Sequence, residues 1–460
     1  MRKVKVFINL NISIISLITF FYVLINNQIE KYEYMFLLPL IFLISFNLVL
    51  KKFLFENISF FRITFVTVLF LRYSILPLII TMANYDHIVA AYYPTIAQCN
   101  LAIFLMTYEL IAYSAFIKIY NLIKKNKALN DDFDFSYNNP IFNIFIVFSM
   151  ILLFVTPSVL NYFNFISVNS SVHTIEFSNI QEITILCVVC AKGLLFLQIL
   201  NYLSKKYKIS NNNVYFYLGV LAAAINSCIY YGANRSTFIF LAIASFAAFF
   251  AFFKKGIKKI IIIISIIVIT IIPIITSYRN YYDYYEKFTG LEKELISKQG
   301  LINEYFGGIN NVAIGIETAN LFSNKRNLVN LLYDFLRPVV GINIIMKKIN
   351  MDYSNLYFNR CYHRSDLVSV IFPTISQGYF YFGFIGAPIL GIIMIWIALK
   401  LERYCKDFKN PFYIYFFTPS LFRLGTLTGA NVNIQMNDLS LKIMVPVLLL
   451  LIMKIVKKKK

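Results

Sequence analysis

Arg360, His363, Arg364 and Asp366 lie within the seven-residue stretch RCYHRSD, in a chain that is otherwise mostly apolar. Guanidinium groups are planar and permanently charged, and they grip phosphate oxygens through a two-pronged donor fork. Histidine takes or gives a proton near neutral pH. Together these side chains suit holding an anionic leaving group and activating a hydroxyl. Asp366 is placed either to orient His363 or to pair with Arg364. Arg235 in YYGANRSTF, Arg279 in SYRNYYDYYEKFTG, Arg337 in YDFLRPVVG and Arg423 in FTPSLFRLGTLTG carry the same fork. Gln377, in ISQGYFYFG, adds an amide able to hydrogen-bond a sugar.

The elements that must position these residues are membrane helices. Of 460 residues, 59% are hydrophobic and only 14% charged, with a mean hydropathy of +0.68, where soluble domains carry about a quarter charged residues. Apolar runs near residues 7–25, 34–50, 62–82, 94–117, 140–157, 180–203, 213–230, 236–253, 260–277, 373–399, 412–430 and 438–455 each approach the ~18–20 residues that cross a bilayer. Lysines punctuate every second connection, at Lys51-Lys52, Lys124-Lys125, Lys205-Lys206, Lys254-Lys255 and Lys400 onward. Basic loops stay in the cytoplasm. The pattern therefore predicts an all-α polytopic integral membrane protein of about twelve transmembrane helices. Both termini are expected in the cytoplasm of a bacterial cell, across its plasma membrane. Residues 1–277 hold helices one to nine, and 278–372 form a large extracytoplasmic loop with short helices lying on the membrane. Residues 373–460 hold helices ten to twelve and a basic tail. The first run lacks a small-residue cleavage motif and reads as a retained helix. No internal repeat is visible, which disfavours transporters built from inverted repeats.

The net charge of +21 follows loop topology rather than nucleic-acid binding. Cys187 and Cys190 form a C-x-x-C inside an apolar run and read as packing. The three histidines, His87, His173 and His363, all fall in loops expected outside, but their spacing fits no metal motif. Phosphate-binding loops, dinucleotide fingerprints and hydrolase elbows are missing from the sequence, so neither metal nor cofactor is expected. Lysine dominates the inner loops, whereas the outer side uses arginine. Arg235 sits in a short external turn, where the positive-inside rule disfavours a basic residue, so a functional reading outweighs a snorkelling anchor. Arg423 falls within the eleventh run, where an arginine must face a cavity or a partner. Lys192 and Glu109 are weaker cases, read as a structural ion pair.

The layout resembles the Wzy-type polysaccharide polymerases, relatives of the O-antigen ligases. The resemblance covers chiefly residues 220–400. It rests on many helices with one dominant external loop in the second half, and on the turn Asn234-Arg235-Ser236 opening a helix. Arg279 and Gly290, separated by ten residues in the loop, are similar to an Arg-x10-Gly pattern of some such polymerases. Gly378, Gly383 and Gly386 resemble a glycine-rich start to the helix after the loop, and His363 stands where the ligases carry a proposed catalytic histidine. The resemblance implies a metal-independent glycosyltransferase that polymerises undecaprenyl-pyrophosphate-linked oligosaccharides on the outer face of the membrane. In that scheme His363, Arg235 and Arg279 are catalytic. Arg337, Arg360, Arg364, Asp366, Gln377 and Arg423 bind pyrophosphate or sugar. A polysaccharide chain-length regulator is a candidate partner. A lipid-linked oligosaccharide flippase and an O-antigen ligase remain as alternatives.

Overall fold

The computed structural model of the chain describes residues 2–85, 90–123, 137–165, 178–232, 235–253, 290–408 and 410–458. Helices dominate. The described strands form one antiparallel ribbon pairing Phe163–Phe165 with Ile229–Tyr231, Asn164 opposite Tyr230.

Six described helices are long and apolar enough to cross a membrane: Lys5–Asn26, Glu30–Glu56, Phe60–Ala83, Ile96–Ile123, Asn179–Ser210 and Val432–Val456. A bent pair, Thr374–Gly386 with Ile389–Cys405, makes a seventh if counted as one span. The chain is a multi-pass, all-α membrane protein, but among the described residues six or seven spans are formed where twelve were expected. The fifth and seventh apolar runs give helices Pro140–Val155 and Asn213–Cys228, 16 residues each. At about 24 Å these fall short of the roughly 30 Å hydrocarbon core. The first ends where Thr156 leaves helical geometry ahead of Pro157, and the second where the chain passes into strand Ile229–Tyr231. In the eighth run the apolar helical portion is Thr237–Phe253, and the ninth lies outside the described residues. The tenth turns through 110° between its two helices. The eleventh yields only Pro411–Gly425, with Pro419 inside it, and helix resumes at Val432.

The segment expected to be an external loop is described from residue 290. It contains helices Gly290–Phe306, Ile309–Leu321, Leu328–Leu336, Asn343–Met346 and Ser354–His363. Ile309–Leu321 does not lie at a surface. Every residue from Ile309 to Ile316 is buried, and the helix packs on Ile96–Ile123 and Thr374–Gly386. A helix that is apolar or small on all sides belongs in a core. By contrast, Leu328, Val329, Leu332, Ile342, Ile345 and Ile349 present exposed apolar faces, as interfacial helices do.

Hydrogen bonds between distant segments sort the helix ends into two sets. At one end Lys5 Nζ donates to Phe55 O (3.0 Å) and Tyr137 OH to Asn410 Oδ1 (2.6 Å), and Arg62 pairs with Glu402 (2.7 Å). At the other, Gln98 Nε2 donates to Glu317 Oε2 (2.6 Å), Asn343 Nδ2 to Glu182 Oε2 (2.6 Å) and Ala91 N to Tyr362 O (2.8 Å). The described ends next to Lys5, Lys51-Lys52 and Lys400 therefore share one side of the bundle.

Three stretches widen to π-helix: Phe46–Leu50, Leu71–Ile75 and Ser440–Met444. Leu71–Ile75 carries Arg72, which is fully buried. Its Nη1 donates to Glu109 Oε2 (2.6 Å) and its Nε to Gly307 O (2.7 Å). Tyr73 and Tyr113 hydroxyls complete the Glu109 carboxylate at 2.9 and 3.0 Å. Glu109 thus pairs with Arg72 and not, as the sequence suggested, with Lys192. The ammonium of Lys192 instead donates to the carbonyls of Asn226 (2.8 Å) and Ile229, at the C-terminal end of Asn213–Cys228, where the helix leaves carbonyls unsatisfied.

Candidate functional site

Helix Val432–Leu439 carries two polar clusters about 8 Å apart along its axis, one at Asn433 and one at Asp438. Its start is set by Asn431, whose side chain accepts from Ile434 N (2.9 Å). The backbone N–H of Val432 donates to Gln377 Oε1 (2.8 Å), tying this helix to the bent pair.

Asp334 is the centre of the first cluster. It is fully buried near the end of Leu328–Leu336, a helix opened by Asn327, whose side chain accepts from Asn330 N (2.8 Å). Its Oδ1 accepts from Ser354 N (3.0 Å) and Asn433 Nδ2 (3.2 Å). Its Oδ2 accepts from Ser354 Oγ (2.5 Å), Gln377 Nε2 (2.9 Å) and Tyr381 OH (2.6 Å). The carboxylate therefore caps the N-terminus of Ser354–His363, where backbone N–H groups and the helix dipole favour negative charge. No lysine or arginine among the described residues hydrogen-bonds to it. With five donors Asp334 is saturated, and it acts as a pin joining Leu328–Leu336, Ser354–His363, Thr374–Gly386 and Val432–Leu439.

One turn beyond Asp334 stands Arg337, half-buried, whose backbone N–H donates to Tyr333 O (2.8 Å) but whose guanidinium makes no hydrogen bond or ion pair to a described residue. Tyr353 lies near it. Burial raises the pKa of that phenol, and the Arg337 charge pulls the other way. Gln377, expected at a sugar, is spent internally: it is fully buried and also reaches Ser354 Oγ (2.9 Å) and Asn433 Oδ1 (3.2 Å).

Asp438 is the centre of the second cluster. It accepts from Arg423 Nε (2.6 Å) and pairs with Lys442 Nζ (3.1 Å). Both cations also stand over the Phe240 ring, at 5.1 and 5.8 Å from its centroid. Arg423 therefore has the partner that its apolar surroundings require. Beside this triad is a cavity of about 50 Å³, lined by Lys192, Lys442, Thr237, Tyr231, Tyr415 and mainly apolar neighbours. Arg235 begins helix Arg235–Phe253, two residues before the cavity-lining Thr237. The placement of its side chain is outside the described residues, as are Arg279, His87 and His173.

The RCYHRSD stretch lies apart from both clusters. His363 is nine residues beyond Ser354 on the same helix, about 14 Å along its axis. Its Nε2 is 2.7 Å from Ser369 Oγ, and burial lowers its pKa below the ordinary 6.5. Asp366 orients neither His363 nor Arg364. Its Oδ1 accepts from Arg360 Nε (2.5 Å), and Arg360 Nη1 donates to Asp352 Oδ2 (2.8 Å). These two hydrogen bonds raise the Arg360 pKa above its usual value. Arg360 is thus a clip between two loops. Arg364 is exposed, and its backbone is left-handed (φ +55°), ending the helix. Burial pushes the neighbouring Cys361 thiol up to about 11, which keeps it protonated at neutral pH.

The sequence reading did not single out Asp334, Ser354, Tyr381, Asn433, Asp438, Lys442 or Arg72. Arg72 had a signal, an arginine in the middle of an apolar run, the argument applied to Arg423. Neither a family model, nor a curated protein, nor a solved structure matches the chain.

Proposed function

We propose that this chain is an enzyme of polysaccharide assembly. It joins undecaprenyl-pyrophosphate-linked oligosaccharide units at the outer face of a bacterial cytoplasmic membrane, as the resemblance to Wzy-type polymerases implies. The observation that supports this reading best is Arg337, a guanidinium without a partner among the described residues, held one turn from the Asp334 pin. In the reaction an acceptor hydroxyl attacks the anomeric carbon of the donor sugar. The bond from that carbon to the pyrophosphate oxygen breaks, and the hydroxyl proton passes to a base. A fixed, partly dehydrated guanidinium stabilises the charge growing on the departing pyrophosphate. The exposed apolar faces of the short helices nearby support a position for Arg337 at headgroup depth, the level of a lipid pyrophosphate. Asp334 and Gln377 serve as its rigid support. His363 keeps its proposed role only if substrate bridges the length of helix Ser354–His363, so Arg337 is the stronger assignment.

A second reading, a lipid-linked oligosaccharide flippase, is favoured by charges buried in both halves of the chain, at Arg72–Glu109 and at Arg423–Asp438–Lys442. The test is the size profile of lipid-linked glycans in a deletion strain. Single repeat units accumulating outside without long polymer support the polymerase. Long chains stranded on the carrier mean a ligase, and units retained on the cytoplasmic side mean a flippase. Complementation with Arg337→Ala should reproduce the deletion profile, and normal polymer lengths in that strain would overturn the role of Arg337.

A further inference from the structure

We infer that the cavity between Asn179–Ser210 and the last membrane helix is a binding site for one anionic phospholipid, headgroup inward. The ammonium groups of Lys192 and Lys442 stand in its wall, and no acidic side chain among the described residues lines it. Asp438, the carboxylate behind the wall, is shared between Arg423 and Lys442, and Lys192 ion-pairs with no described carboxylate. Positive charge in excess at membrane depth needs an anion or water. Lys192 is thirteen residues into Asn179–Ser210, about 20 Å from the helix start, so the site lies well inside a candidate span.

The rest of the lining decides what kind of anion. Phe163, Val189, Ile229, Leu241, Phe416 and Leu441 present apolar surface, which a soluble phosphate would leave uncovered. Phe163, Val189, Lys192, Ile229 and Leu241 are only half-buried by the described residues, so the apolar wall is not sealed by them. Its volume of about 50 Å³ is several times what one water needs, about 10–15 Å³, but far below what an oligosaccharide fills. A phosphodiester headgroup with the first methylenes of its chains satisfies charge, size and polarity together. The inference does not depend on the polymerase reading, because the oligosaccharide chemistry proposed above is centred on Arg337.

The experiment is native mass spectrometry of the full chain released from nanodiscs of equal phosphatidylglycerol and phosphatidylcholine, with thermal unfolding in parallel. One phosphatidylglycerol retained per chain, at least tenfold over phosphatidylcholine, is expected. Lys442→Met should abolish the preference. Val189→Phe, which fills the cavity and leaves every ion pair intact, should reduce retention at least tenfold at unchanged unfolding temperature. Equal retention of the two lipids, or undiminished retention in Val189→Phe, overturns the proposal. Thermal stabilisation by millimolar inorganic phosphate alone, matching that by the lipid, overturns the lipid as the source of the anion.

Discussion

Asp334 and Arg337 are one helical turn apart and should behave oppositely under mutation. Asp334→Ala strands the donors of Ser354, Gln377, Tyr381 and Asn433. It should destabilise the protein by about 3 kcal/mol or more, read as a lowered unfolding temperature in detergent. Arg337→Ala removes no described side-chain hydrogen bond or ion pair and should change stability by less than about 0.5 kcal/mol while eliminating polymer. Arg72→Met should cost about 3–5 kcal/mol, because it leaves Glu109 charged and buried, and the double variant Arg72→Met/Glu109→Met should recover much of that loss. His363 gives a pH signature. Burial lowers its pKa, so the fold prefers the neutral ring. That contribution is fully present above about pH 6.5 and is lost as pH falls through the lowered value. Unfolding temperature should drop as pH falls below about 6.5, and His363→Gln should flatten that drop. Arginine as a candidate phosphate ligand could be proposed from residue type alone. The pin was not, since Ser354, Gln377 and Asn433 lie 20, 43 and 99 residues from Asp334.

The bent pair Thr374–Gly386 and Ile389–Cys405 tests the role of glycine at the scale of an element. A Cβ on Gly378 would fall 1.9 Å from the carbonyl oxygen of Ala387, across the bend, whereas a Cβ on Gly383 meets nothing within 4 Å. Gly383 has φ +68° and ψ −168°, a region that other residues occupy at a cost of about 1–3 kcal/mol. Gly378→Ala should therefore prevent accumulation of folded protein in the membrane, and Gly383→Ala should fold with a lowered unfolding temperature. The glycines were visible in the sequence, but the 110° turn they permit was not. The twelve-span expectation failed for the same reason. Apolar run length does not distinguish a spanning helix from a 16-residue helix followed by a strand, as at Asn213–Cys228 and Ile229–Tyr231.

At the scale of the molecule, hydrogen bonds between the described helix ends sort them into two sets, and the rhythm of lysines predicts which set faces the cytoplasm. Single cysteines placed at Lys52, Lys206 and Lys400 in a cysteine-free background should react with an impermeant maleimide only after the membrane is opened. Cysteines at Tyr93, Lys325 and Arg364 should react in intact cells, and labelling of both groups together would contradict the two-sided arrangement. The class of the protein was legible from composition, because a chain this apolar has no alternative to spanning a bilayer. How its polar residues find one another was not, because their partners come from wherever the helices turn. The wide turn at Leu71–Ile75 makes that dependence concrete. It takes up one residue more than ordinary winding, so removing one residue there leaves the segments before and after it nearly in register. An insertion or deletion in the regularly wound stretch Phe60–Phe70 has no such slack. It turns Arg72 and Ser74 by about 100° against the start of the helix, away from Glu109 and Ser16, which they meet at 2.6 and 3.0 Å. A single residue is thus absorbed at the wide turn but acts elsewhere as a rotation, reassigning the neighbours of an entire helix without altering any side chain.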